Sequence, residues 1–104
     1  MPLMILQIDF VDQRPWEGDR VEKLSGLAHI IAEAPGLIGK IWTENPDTKE
    51  AGGVYLFKDE ASMNAYLDVH TARLKGFGIE QINVKTFQVN EPLTQITFPS
   101  LQLS

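Results

Sequence analysis

Residues 3–11 read LMILQIDFV, and the run is apolar at both parities of a strand. Side chains alternate across a strand, so Leu3, Ile5 and Val11 share one face while Met4, Leu6, Ile8 and Phe10 share the other. Residues 51–57 (AGGVYLF) repeat the pattern, with Val54 and Leu56 opposed to Tyr55 and Phe57. An antiparallel sheet with one solvated face alternates apolar and polar residues cleanly. These strands do not, so both faces of their sheet need apolar cover.

The other segments supply part of that cover. Val21, Leu24, Ala28 and Ile31 recur at spacings of three and four, the signature of one helix face. Glu17 and Asp19 stand near its start, where negative charge suits the exposed amides, and Pro35-Gly36 stops it. Residues 37–44 (LIGKIWTE) and 51–57 flank the turn signal Asn45-Pro46-Asp47, which predicts an antiparallel hairpin. Gly52-Gly53 marks a bulge or a close backbone approach. Asp59-Glu60 opens a second helix that ends near Lys75-Gly76, with Gly76 or Gly78 as the left-handed exit. Its less polar face holds Met63, Tyr66, Leu67, His70 and Leu74. Residues 80–90 (EQINVKTFQVN) read as a fourth strand, ended by Pro92. The segment 93–104 holds Leu93, Ile96, Phe98, Leu101 and Leu103, and suits an edge strand, a swapped arm or a flap over a partner.

The order βαββαβ predicts an α+β, ferredoxin-like fold with both helices on one side of a four-stranded sheet. A second copy of the same sheet is the economical cover for the other side, which makes a homodimer and a dimeric α+β barrel. The alternative is a monomer whose C-terminal segment folds over that face. One domain spans 1–104, with a core over about 3–92. Hydrophobic residues make up 43% of the chain, so folding is expected. Fourteen acidic and nine basic side chains give a net charge of -5, which disfavours nucleic acid and anionic membrane as partners. With no cysteine there is no disulfide or thiolate metal site, and without a basic, apolar leader a cytoplasmic location is expected.

Several uninterrupted blocks carry a family resemblance. Glu33-Ala34-Pro35-Gly36-Leu37, Lys40-Ile41-Trp42-Thr43-Glu44 and Glu50-Ala51-Gly52-Gly53-Val54-Tyr55-Leu56-Phe57 resemble the YdhR family of putative mono-oxygenases. So do His70-Thr71-Ala72-Arg73-Leu74-Lys75 and Phe87-Gln88-Val89-Asn90-Glu91-Pro92-Leu93. The resemblance implies a dimeric α+β barrel of the antibiotic-biosynthesis monooxygenase type. It also implies oxidation of small, electron-rich aromatic compounds by molecular oxygen without metal, flavin or haem. Related barrels include isomerases, haem-degrading enzymes and proteins without catalysis. A non-oxidative isomerase or decarboxylase and a non-catalytic ligand-binding dimer are therefore the alternatives.

His70 is the first candidate for chemistry. Helical spacing places it between Tyr66 and Leu74 and beside Met63, facing the cleft between helix and sheet, where it can move a proton near neutral pH. Its plainer role is a hydrogen-bonded core histidine. Tyr55 is the second catalytic candidate, able to assist in making a phenolate or enolate. Trp42 on the neighbouring strand, Trp16 before the first helix, Tyr66 and Met63 would line an apolar slot for a planar ligand. Ordinary packing is the competing role for each ring, and Phe57 and Phe87 read as core. Arg73 could fix an anionic group, with a surface or subunit contact as the alternative. His29 reads as surface and Asn90-Glu91 as a turn cap. The two histidines lie on different helices without a carboxylate at metal-site spacing, so no metal is expected, while His70 leaves a haem ligand open.

Overall fold

The computed structural model describes residues 2–16 and 18–101. Chain order is β1 (Met4–Val11), α1 (Arg20–Ala32), β2 (Leu37–Asn45), β3 (Glu50–Phe57), α2 (Glu60–Gly76), β4 (Ile82–Gln88) and α3 (Glu91–Thr97). The strands form one antiparallel sheet in the order β2-β3-β1-β4, the ferredoxin-like topology. The sheet is open and is not closed into a barrel. No helix among the described residues is long and apolar enough to cross a membrane.

Pairing decides which parity of β1 faces the helices. Met4, Leu6, Ile8 and Phe10 stand opposite Phe57, Tyr55, Gly53 and Ala51 of β3. Opposed residues share a face. This face joins Ile31 of α1 and Met63, Tyr66 and Leu74 of α2 in one core. Gly52 stands opposite Asp9, and any Cβ there would collide with the backbone at Ile8 and Asp9. The tandem glycines thus mark a close approach. The register shift lies elsewhere, in β2 between Leu37 and Gly39.

Caps bound the helices. The Asp19 carboxylate accepts from the Glu22 amide, and that of Asp59 accepts from Ser62. Phe77 caps the end of α2, and Gly78, at φ 88°, makes the left-handed exit. Glu17, expected to favour the start of α1, lies outside the described residues. The apolar face of α1 is rotated from the sequence expectation. Val21 is 79% exposed, whereas Leu27 packs on the core and Ile31 is buried. The first turns of α1 do not rest on the core; Val21 and Leu24 line a space shared with Trp42 and Glu44 of β2.

The opposite face carries Ile5, Val54 and Leu56, with Ile41 opposite Val54 and Phe87 opposite Ile5. Ile41 is 66% and Phe87 48% exposed, so Phe87 is an open-face residue and not the core residue expected. Residues 91–97 form α3 instead of an edge strand, capped by Asn90, whose side chain accepts from Leu93. α3 and the turn after it border one end of the open face, where Thr94, Phe98 and Leu101 join Ile5, Val54 and Leu56 around a groove of about 570 Å³. Leu103 lies outside the described residues.

The helix-facing layer sets the stability. Leu6 is fully buried, so Leu6→Ala should cost about 2–5 kcal/mol in chemical denaturation. Val21→Ala should stay within about 0.5 kcal/mol of the parent.

Candidate functional site

β2 and β3 set the floor of a cleft beneath α1 and beside α2. In β2 the residues facing the helices are Lys40, Trp42 and Glu44, opposite Tyr55, Gly53 and Ala51. Trp42 lines three adjoining spaces. One of about 40 Å³ reaches Tyr55, His70 and Leu74. Another of about 290 Å³ runs along Leu24, Ala28 and His29 of α1. A third of about 190 Å³ lies between Ala28, Ile31 and Lys40. The Lys40 side chain lies over Gly53, where any Cβ would collide with it.

The inner wall is aromatic. Tyr66 and His70 are one helical turn apart on α2, and their rings stack at 5.0 Å with 20° between planes. Tyr55 meets Tyr66 at 5.1 Å and the edge of His70 at 6.2 Å. Met63 and Phe57 close the layer behind them. The structure thus brings Tyr55, Tyr66, Met63, His70 and Trp42 to one side of the sheet. Arg73 joins them from the next turn of α2, donating from its guanidinium to Nδ1 of His70 at 3.1 Å. Trp16 stands apart. Its Nε1 donates to the Asp12 carbonyl at 2.8 Å, and the Arg20 guanidinium covers its ring at 3.9 Å.

Proton positions follow from these contacts. A guanidinium can only donate, so Nδ1 of His70 accepts and Nε2 carries the hydrogen. His70 is 3% exposed. Burial first, then the charges of Lys40 and Arg73, push its pKa down to about 4, which keeps the ring neutral at pH 7. Burial raises the Tyr55 phenol far above its ordinary value, with Tyr66 adding to the effect. Burial raises that of Tyr66 as well. Both phenols stay protonated at neutral pH and serve as hydrogen-bond donors.

Lys40 is the functional group that the sequence reading passes over. Its Nζ lies 3.5 Å from the Trp42 ring centroid and 4.6 Å from that of Tyr55. Burial, then the charge of Arg73, lower its pKa to about 7. Strand alternation held the signal: with Trp42 facing the cleft, Lys40 two residues earlier faces it too. The cleft mouth is charged but paired. Asp12 is buried and binds Arg14 through both carboxylate oxygens at 2.9 Å, which lowers its pKa. Arg20 of α1 pairs with Glu44 of β2 across the mouth.

Among the described residues, no three His, Asp or Glu side chains converge to hold a metal ion. The space of about 40 Å³ beside His70 suits a water molecule or two and not a porphyrin.

The fold and cleft define a ferredoxin-like α+β domain with a space of about 290 Å³ between α1 and Trp42 that adjoins a water-sized inner space at Tyr55 and His70. The family model described as "Putative mono-oxygenase ydhR" matches residues 5–99, and the chain belongs to that family. The crystal structure of the NE2512 protein of unknown function from Nitrosomonas europaea is similar at a TM-score of 0.66. Identity is 14%, over 86% of this chain and 91% of that one, so the likeness is one of fold. No curated protein matches the chain.

The buried ammonium has a thermodynamic signature. With its folded pKa near 7 and an unfolded value of about 10.4, the unfolded chain binds the extra proton between those limits. Stability from this group therefore rises with pH across that window, and the penalty is full below pH 7. Lys40→Met should keep or raise the melting temperature, most clearly below pH 7. A lysine that holds the fold together would give a lower melting temperature.

Proposed function

We propose that this protein is a homodimeric, cofactor-independent mono-oxygenase acting on a small, electron-rich aromatic compound. The observation that carries the reading is the cleft lined by Trp42, Tyr55 and His70, with Tyr66 packed behind, in a chain of the YdhR family. Trp42 packs the ligand ring, and Leu24 and Ala28 of α1 cover its edge. Met63 and Tyr66 support the wall behind, Arg73 orients His70, and Trp16 steadies Arg20 at the mouth. The Nε2–H of His70 and the Tyr55 hydroxyl are the catalytic donors, stabilising the oxygen of a phenolate or enolate as electrons move from the ring carbon to molecular oxygen.

The reaction balances without an added reductant. A benzylic methylene conjugated to a phenol loses two hydrogens and gains one oxygen atom as a carbonyl, while the second oxygen atom leaves as water. The substrate supplies all the electrons. Purified protein free of metal and flavin, mixed with anthrone-like compounds and quinols, should consume oxygen and give that product mass. Turnover that persists without oxygen would point to an isomerase, and saturable binding without product to a ligand-binding module. His70→Ala should slow oxygen uptake about 10²-fold while the protein stays folded. An unchanged rate would remove His70 from the chemistry.

The second copy of the chain covers the open face. Ile5, Ile41, Val54, Leu56 and Phe87 make that face apolar, and a two-fold axis lets it meet its own equivalent. Sedimentation equilibrium at micromolar concentration should give twice the chain mass of 11.7 kDa. Ile41→Asp, at an exposed position, should yield a folded monomer. A parent protein that sediments as a sharp monomer contradicts the dimer.

A further inference from the structure

Lys40 and Arg73 set two positive charges about the neutral ring of His70 inside an acidic protein. Lys40 comes from β2, and the other two from one face of α2. Their mutual influence is direct: the charge of Arg73 acts on Lys40, and the charges of Lys40 and Arg73 act on His70. No carboxylate is among the groups that shift either one. The nearby acids are engaged at the mouth, Asp12 by Arg14 and Glu44 by Arg20. The Lys40 ammonium lies against the ring faces of Trp42 and Tyr55. Burying like charges without a counter-ion is unfavourable unless something negative joins them.

The ring faces beside Lys40, Trp42 and Tyr55, suit a planar group.

We propose that Lys40 seats the ionised oxygen of an aromatic ligand beside His70 and Tyr55, so that the protein takes aromatic acids or phenols as their anions. This rests on the aromatic cleft of the proposed function and adds the charge of its occupant. Lys40 is the anchor, because it lines both the space between α1 and β2 and the inner space at His70. His70 of α2 and Tyr55 of β3 share that inner space and are neutral at pH 7, and its two carboxylates, Asp12 and Glu44, are paired with Arg14 and Arg20. The ammonium value near 7 agrees with this: an anion arriving beside Lys40 stabilises its charged form.

The test is a binding titration of the full chain, followed by tryptophan fluorescence, with 1-naphthoate and its neutral analogue 1-naphthamide. At pH 6 naphthoate should bind at least tenfold more tightly. Lys40→Met should reduce naphthoate to the level of naphthamide and leave naphthamide within twofold. The preference should fade between pH 6 and 9 in the parent, and Lys40→Arg, charged throughout, should retain it at pH 9. A phenol arm uses 4-nitrophenol, which is yellow only when ionised. Bound to the parent it should be yellow at a pH where the free compound is colourless, and Lys40→Met should abolish the colour. Colour without naphthoate preference assigns the seat to phenolates, and the reverse assigns it to carboxylates. Equal binding of naphthoate and naphthamide, unchanged in Lys40→Met, with no colour shift, overturns the anion seat and leaves the aromatic cleft standing. Failure of all three compounds to bind the folded protein overturns both.

Discussion

The pairing of β1 with β3 is the constraint on which the rest depends. It sets Met4 against Phe57 and Leu6 against Tyr55 in a layer without solvent access. A slip by one residue would turn every one of these side chains to the open face. With the register fixed, the Tyr55 ring lies under α2, where Tyr66 and His70 stack beside it. The next pairing, β2 with β3, puts Lys40 directly across from Tyr55. The cleft is therefore a by-product of strand register: one residue from each of two strands and one turn of a helix make its inner wall.

Two kinds of electrostatics meet in that cleft. At the mouth, charges are paired, and the Arg20–Glu44 pair links the first turn of α1 to the edge strand. Inside, the charges of Lys40 and Arg73 act on a neutral histidine, with no carboxylate among the groups that shift it. A fold selected for stability alone would place an aliphatic residue at 40, since a half-buried ammonium between two rings is held at a desolvation cost. α1 contributes one buried side chain, Ile31, to the core. Its N-terminal half spans a space and not a packed interface, and segments with few buried apolar contacts open most readily. Ligand entry under α1 follows from that arrangement.

Much of the fold was legible in the residues. The βαββαβ order follows from periodicity and turn chemistry, and the buried face of α2 follows from helical spacing at Met63, Tyr66, His70 and Leu74. Three features were not. Val21 fits the helical period, but its turn borders a space shared with β2, and amphipathic spacing cannot tell a packed face from one that lines a cavity. α3 has the apolar content of an edge strand, yet Asn90 at the cap and Pro92 in the first turn favour a helix. Lys40 was hidden because charged residues in strands are read as solvent-facing, whereas its parity is that of Trp42. Conversely, Trp16 is drawn to Asp12 and Arg20 by hydrogen-bond and cation–ring contacts that no local pattern announces.

The account stands on the location of the ligand. A direct measurement is a map of amide and indole NMR shifts on adding 1-naphthol to isotope-labelled protein. The largest changes should fall on the Trp42 indole, Lys40, Thr43 and Leu24, which border the cleft between α1 and β2. Changes confined to Ile5, Val54, Thr94 and Phe98 would place the ligand in the groove of the open face and contradict the account.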